Sequence, residues 1–314
     1  MSDVFFYDFD FGIKGIFPKH ISLNITKKYA GYGTFEVHFS RKETALIDIL
    51  SSEEYLLIDC EHGQAVVTGW RIDEDIAVFG KTPEWLMTKR VVSEFKKLSE
   101  NSEKIAYSAV TDGMGDFVEI GTEKGIGETR DYEISAPRTV YDAVCEALEG
   151  DGLGFRLYAD FDEKVFRFEI YKGEETDVIF SETLKNAYQM NYTKEMEKWA
   201  TGGVWFEKTE TDGTRNWVKT DDGEMSGARR WNAILKGIKT DCEAESEAKK
   251  LTPSEQIECK TRRLEFGKDY NLGDVVRLQF ECEGLRKALK RRVCAVEMYS
   301  DGGELGFTPI LEDE

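Results

Sequence analysis

Histidine is scarce in this chain. Among 314 residues only His20, His38 and His62 carry an imidazole, and no His-x-x-x-His or mixed Cys/His spacing points to zinc. Cysteine is sparse and scattered as well. Cys60, Cys145, Cys242, Cys259, Cys282 and Cys294 contain no Cys-x-x-Cys pair, a pattern that reads as mostly buried free thiols rather than a disulfide framework. No run of eighteen apolar residues exists, so no segment is long enough to cross a bilayer as a helix. The segment Met1 to Asp10 lacks the basic start and apolar core of a signal peptide, and the expectation is synthesis and folding in a cytosol. Bases are outnumbered: 42 Lys and Arg stand against 61 Asp and Glu, a formal net charge of −19. Such a surface repels phosphates, so sequence-specific nucleic-acid binding is not expected.

Catalytic signatures are missing too. There is no Gly-x-Ser-x-Gly elbow. Gly113, Gly115, Gly121, Gly125 and Gly127 invite a phosphate-loop reading. They fail it, because Val118 stands at the third glycine position of the dinucleotide fingerprint and no Gly-Lys-Ser/Thr follows. Asp160-Phe-Asp162 and Asp221-Asp222-Gly223 resemble pieces of calcium loops without the further ligands, and turn chemistry explains both better. His62 follows Asp59, Cys60 and Glu61, but a metal cluster there needs a bend in the strand. A triad with members far apart in sequence leaves no local trace, and carboxylate pairs are inevitable by chance in so acidic a chain. The expectation is no enzyme, no metal and no cofactor.

What is present is a globular composition, 40% hydrophobic and 12% aromatic. The pattern is α+β and mainly β. In Gly33 to Ser40, Phe35, Val37 and Phe39 alternate with polar residues, which predicts a strand with one buried face. Tyr55 to Asp59, Gln64 to Ile72 and Asp75 to Phe79 continue the strand pattern, so the first stretch reads as a small barrel or sandwich. A helix is predicted from Thr82 and Pro83, carrying Met87, Val91, Phe95 and Leu98 on one stripe. A second runs from near Pro137 to Gly150, and a third from Cys242 to Leu251. The stretch Gly113 to Gly127 is read as loop or short strand, and Gly154 to Phe161 with Val165 to Lys172 as a strand pair. Leu184 to Tyr192, Gly203 to Thr209 and Asn216 to Thr220 look sheet-like, with a turn at Asp212-Gly213. Gln256 to Glu265, Leu272 to Cys282 and Leu289 to Tyr299 close the chain as strands. The basic run Arg286 to Arg292 reads as a solvated loop leading into an edge strand, or as a contact to an acidic neighbour.

Four stretches carry a resemblance. Gly80-Lys-Thr-Pro-Glu-Trp-Leu-Met-Thr-Lys-Arg90 has Gly80, Leu86 and Arg90 in a glycine, leucine, arginine order after the first β region. Gly154 to Asp160 and Phe166 to Gly173 form a hairpin ending in an aromatic, a spacer and a glycine. Val178 to Asn186 leads to Met190-Asn-Tyr192 and Gly202-Gly-Val-Trp205, with Asn186 standing before a long strand. Tyr270 to Val276 contains the turn pair Gly273-Asp274, and Arg292 to Glu297 follows it. Together these resemble the baseplate-hub proteins of phage tails: the contractile-tail hubs and the N-terminal hub region of tail-associated lysin proteins. One departure stands out. Glu174-Glu-Thr-Asp177 occupies the place where the family usually has an aspartate-arginine pair.

The resemblance implies two tail-tube-like β-barrels with an intervening mixed αβ domain: residues 1–80, 81–177 and 178–314, the last with a helical insertion. It implies a homotrimer whose six barrels match the six-fold tail tube, or a distal tail protein, above. A three-fold spike, a fibre or a tape-measure protein meets it at the tip. The place of work is then the virion tail tip, with assembly in the host cytoplasm, and DNA or cargo passes through the ring. Gly80, Leu86, Arg90, Asn186, Gly273 and Asp274 are expected as structural motif residues and none as catalytic. Two other readings stand beside this one. Trp199, Trp205, Trp217 and Trp231 suit a carbohydrate-binding or host-recognition tail protein, packing or an interface explaining them equally well. A cell-wall hydrolase is the third, although longer hub relatives append their hydrolase domain after the hub and the sequence ends at Glu314.

Overall fold

The structure is a computed structural model that describes residues 3–92, 96–134, 138–197, 199–208, 213–219, 228, 231–235, 248, 251–301 and 304–312. The first third begins with β1 (Val4–Tyr7), β2 (Ile13–Phe17), β3 (Ser22–Lys28) and β4 (Gly31–Phe39). Helix α1 (Thr44–Ser52) follows, then β5 (Leu57–Cys60), β6 (Gly63–Ile72) and β7 (Ile76–Lys81). The alternation in β4 does what period two requires: Phe35, Val37 and Phe39 are all buried. Helix α1 is a single amphipathic piece burying Leu46 and Leu50, one turn apart, and the sequence reading passed over it.

The helix predicted from Thr82 is corrected. Pro83–Lys89 forms a short 3-10 helix, and the chain is extended again by β8 (Val91–Val92) and β9 (Lys96–Asn101). Two adjacent β-branched residues favour the strand, and Val91 and Val92 pair with Thr139 and Arg138 instead of continuing a helix. Phe95 of the expected stripe lies outside the described residues. Thr82 does not cap the turn with its side chain. Its hydroxyl accepts the Gly33 N–H at 2.7 Å, across to β4.

A helix that the sequence reading passed over leads into the stretch Gly113 to Gly127. Helix α2 (Ser102–Met114) is capped by Asn101, whose Oδ1 accepts from the Lys104 N–H at 2.9 Å, and buries Ile105, Ala106, Ala109 and Val110. Gly115, at φ +70, ends it. There follow β10 (Val118–Ile120), β11 (Thr129–Ile134), β12 (Arg138–Thr139), helix α3 (Val140–Leu148), β13 (Gly154–Asp160) and β14 (Val165–Tyr171). Helix α3 and the β13–β14 hairpin lie where the pattern put them. Thr139 caps α3 by accepting from the Asp142 N–H at 3.1 Å, and Gly150 sits at φ +82. Helices α2 and α3 pack with the β10–β14–β13 sheet around Ile105, Val110, Val144, Phe155 and Phe168.

The last third holds β15 (Glu175–Ser181), β16 (Ala187–Glu195), β17 (Gly202–Lys208), β18 (Gly213–Lys219), β19 (Asn232–Ile234), β20 (Ser254–Thr261), β21 (Val275–Cys282), β22 (Leu285–Asp301) and β23 (Glu304–Glu312). The expected helix from Cys242 to Leu251 and the Asp212 turn fall largely outside the described residues. Run 286–292 is not a loop. It is the first half of β22, paired with β21 from Val275↔Arg292 to Cys282↔Leu285. Strand β23, unread in the sequence, is the last element.

The chain forms two compact units, residues 1–190 with 258–312, and residues 191–257. In the first, the main sheet runs β20–β23–β22–β3–β4–β7–β6–β5–β1–β2, with β21 on β22 and β15 on β21. Strand β22 is the hinge of this order. Its residues 285–292 pair with β21, and its residues 295–301 pair with β3, so strands from the first and last thirds share one sheet. In the second unit, β17 lies between β18 and β19.

Candidate functional site

The motif glycine and aspartate of the β21 approach meet the first β region at Tyr29, in the turn between β3 and β4. Tyr29 is almost fully buried. Its hydroxyl donates to the Gly152 carbonyl at 2.8 Å and accepts from the Gly173 N–H at 3.1 Å. Its backbone accepts from the Phe155 N–H at 3.1 Å and donates to the Cys294 carbonyl at 2.8 Å. One residue therefore ties the start of β13, the end of β14 and the middle of β22 to the first strands. Burial of that hydroxyl, against lesser opposing effects from its hydrogen bond and Arg292, raises its pKa.

The surrounding glycines are needed for space. A Cβ on Gly154 or Gly273 would run into the Tyr29 ring, and one on Gly173 into the Gly273 carbonyl. Gly273 also holds φ at +87, where a side chain is strained. Its N–H donates to Val293 and its carbonyl accepts from Arg292 Nη1, both at 2.8 Å. Asp274 is buried, with Oδ1 accepting from the Glu174 N–H at 3.0 Å and Oδ2 from the Asn271 N–H at 2.8 Å. Gly273 and Asp274 thus come together here, joined by Gly173 and Arg292.

The other motif residues stand elsewhere. Gly80 lets β7 approach β6, where a Cβ would strike the Val66 carbonyl. Leu86 packs half-buried against the middle core, and Arg90 places its guanidinium 4.9 Å from the Phe117 ring centroid. Asn186 closes the turn after β15. It accepts from the Ser181 N–H at 2.9 Å and donates to the Ile179 carbonyl at 2.7 Å. Tyr29 itself was missed, and the doublet Lys28-Tyr29 carries no local signal for so central a role.

Beside the junction lies a cavity of about 570 Å³, lined among others by Lys27, Asp59, Glu84, Arg156 and Tyr171. Glu84 is buried; Oε1 accepts from the Leu157 N–H at 3.3 Å, while Oε2 has no hydrogen-bond partner. Burial pushes the Glu84 carboxyl above its ordinary value and the Lys27 ammonium below its own. The glycine loop after α2 is occupied by the chain itself. The Lys124 and Ile126 N–H groups both donate to the buried Glu103 carboxylate, at 3.0 and 3.1 Å. Asp160 likewise serves its turn, accepting from the Glu163 N–H at 3.1 Å and Arg167 Nε at 2.8 Å. His38 bridges two carboxylates, Asp75 at 2.8 Å and Glu36 at 3.1 Å. Among the described residues no three His, Cys, Asp or Glu side chains are placed to hold a metal ion. Of the tryptophans, Trp199 and Trp231 touch at 5.0 Å between ring centroids within the 191–257 unit. The side chains of Trp205 and Trp217 lie outside the description.

The fold as a whole has counterparts in solved structures. A 43 kDa tail protein of prophage MuSo2 from Shewanella oneidensis superposes with a TM-score of 0.64 at 14% identity, covering 98% of this chain and 98% of that one. The chain has a phage-tail-protein fold. The prophage tail protein gp18 of Listeria monocytogenes gives 0.61 at 13% identity, covering 99% of this chain and 94% of that one. A chain of the Francisella PdpA–VgrG complex gives 0.56 at 11% identity, covering all of this chain and 53% of its own length. By sequence, no family model and no curated protein matches.

Proposed function

We propose that this protein is a non-enzymatic structural subunit of the baseplate hub of a phage tail or related particle. Three copies form a ring that joins the six-fold tail tube to a three-fold tip, and DNA or cargo passes through it. The observation that carries the reading is the fold shared with prophage tail proteins over essentially the full length of both chains. The junction at Tyr29 supports a mechanical role: its buried polar groups hold the start of β13, the end of β14 and the middle of β22 to the first strands. On this reading residues 1–80 and 178–314 each supply a tube-like barrel, with residues 81–177 between them. An acidic ring lumen would keep passing DNA from adhering, consistent with the net charge of −19.

Light scattering on a size-exclusion column, repeated across concentration, tests the assembly. A mass of three chains supports the hub, and rings are then expected in electron micrographs. A monomer that persists at high concentration overturns it.

A further inference from the structure

Strand β3 buries Leu23 and Ile25 on one face, and Tyr29, two residues past Lys27, is buried as well. Period two puts Lys27 on that same face. A Cβ added at Gly63 would meet both Ile25 and the Lys27 stem, reaching Cε at 2.7 Å. A lysine in such a place normally answers a carboxylate. Among the described residues the Lys27 ammonium makes no hydrogen bond and no ion pair. It lies 5.9 Å from the Phe266 ring centroid, and Lys27 lines the cavity of about 570 Å³ beside the junction.

Two more polar groups on the cavity wall are without a hydrogen-bond partner among the described residues. One is the Tyr171 hydroxyl. The other is Oε2 of Glu84, a residue only 9% exposed. The Glu84 charge acts on both Lys27 and Tyr171, so the three stand in one cluster. The other charged groups of the wall are engaged or exposed. Arg156 is held by Glu169 at 2.6 Å, Asp59 is bonded by Gln64, and Lys28 and Glu61 are exposed. Pro83, Leu157, Phe266 and Leu272 add apolar surface.

Buried polar groups are hydrogen-bonded as a rule, and a cavity that gathers several without partners is where a ligand supplies them. One unanswered ammonium calls for one negative charge. A carboxylate fits: its two oxygens accept from Lys27 Nζ and from the Tyr171 hydroxyl. Burial favours the neutral Glu84 carboxyl, which does not repel an anion. An inorganic dianion would leave its second charge unanswered and most of the volume empty. We infer that this cavity binds a small organic carboxylate with an apolar or aromatic body, its carboxylate on Lys27 and Tyr171 and its body against the apolar wall. Such a site goes beyond the hub reading and is independent of how many copies assemble.

Benzoate and octanoate are the probes, one aromatic and one aliphatic, with benzamide and octanamide as uncharged controls of the same shape. Isothermal titration calorimetry of the full chain is expected to show one carboxylate bound per chain, and the matching amide bound at least about tenfold more weakly. Two variants locate the site. Lys27→Met keeps an apolar stem and Tyr171→Phe keeps the ring. Each is expected to weaken carboxylate binding by about tenfold or more, the worth of a hydrogen bond to a charged group. Thermal melting checks that both are folded, and should Lys27→Met fail to fold, Tyr171→Phe decides alone. Absence of binding by both carboxylates at millimolar concentration overturns the site. So does an amide that binds as well as its acid, or carboxylate binding that the folded variants leave unchanged. None of these outcomes bears on the mass of the assembly, which tests the hub reading separately.

Discussion

Tyr29 concentrates the energetics of the junction in a few atoms. Phenylalanine there keeps the ring against Gly154 and Gly273 but leaves the Gly173 N–H without its acceptor. Tyr29→Phe is therefore expected to lose about 1–3 kcal/mol in urea unfolding, the cost of stranding a buried donor. An unchanged midpoint would mean that water replaces the hydroxyl. Glu84 gives a pH signature. Its carboxyl is raised by burial above the ordinary 4.5, so between that value and its folded one the native state holds more proton than the unfolded chain. Its contribution to stability then falls as pH rises through this window. Glu84→Gln, compared with wild type from pH 4 to 8 by thermal melting, is expected to flatten that part of the decline; parallel curves would refute it.

At the scale of elements, two side chains that accept from backbone N–H groups explain what local pattern missed. Thr82 looks like a helix cap and is instead the acceptor for Gly33 on β4, so the turn it opens stays short. Glu103 looks like an ordinary acid in the first turn of α2, yet it is fully buried and gathers the glycine loop through Lys124 and Ile126. Glu103→Ala is expected to strand those donors and release the 121–128 loop. The checks are a drop of about 2 kcal/mol or more in unfolding free energy and faster amide exchange confined to that loop. Exchange rising uniformly over the chain would argue against a local role. Strand identity was legible wherever period two survived, as in β4, β13 and β14. It was not legible for β1 or for α1, whose nine residues show only two buried leucines, Leu46 and Leu50.

For the whole molecule, the large core and the Tyr29 junction both belong to the unit of residues 1–190 and 258–312. Replacing residues 192–256 by a short glycine-serine turn is therefore expected to leave cooperative unfolding and a melting temperature within a few degrees of wild type. A broad, non-cooperative transition would show that this core depends on the 191–257 unit. The acidity of the chain acts at the same scale, setting what the assembled surface repels rather than how the chain folds.

Sequence by itself determined the mainly β character, the β13–β14 hairpin, helix α3 and the turn chemistry of Gly273-Asp274, because each depends on neighbours a few residues apart. Even the resemblance to tail hubs rested on such short-range motifs in order. Tertiary structure alone decided that residues 295–301 pair with residues 22–28, that Tyr29 joins three distant segments, and that the basic run is strand paired with β21. Pairings across more than a hundred residues are chosen by complementarity of whole surfaces, and no periodicity within one strand encodes its partner.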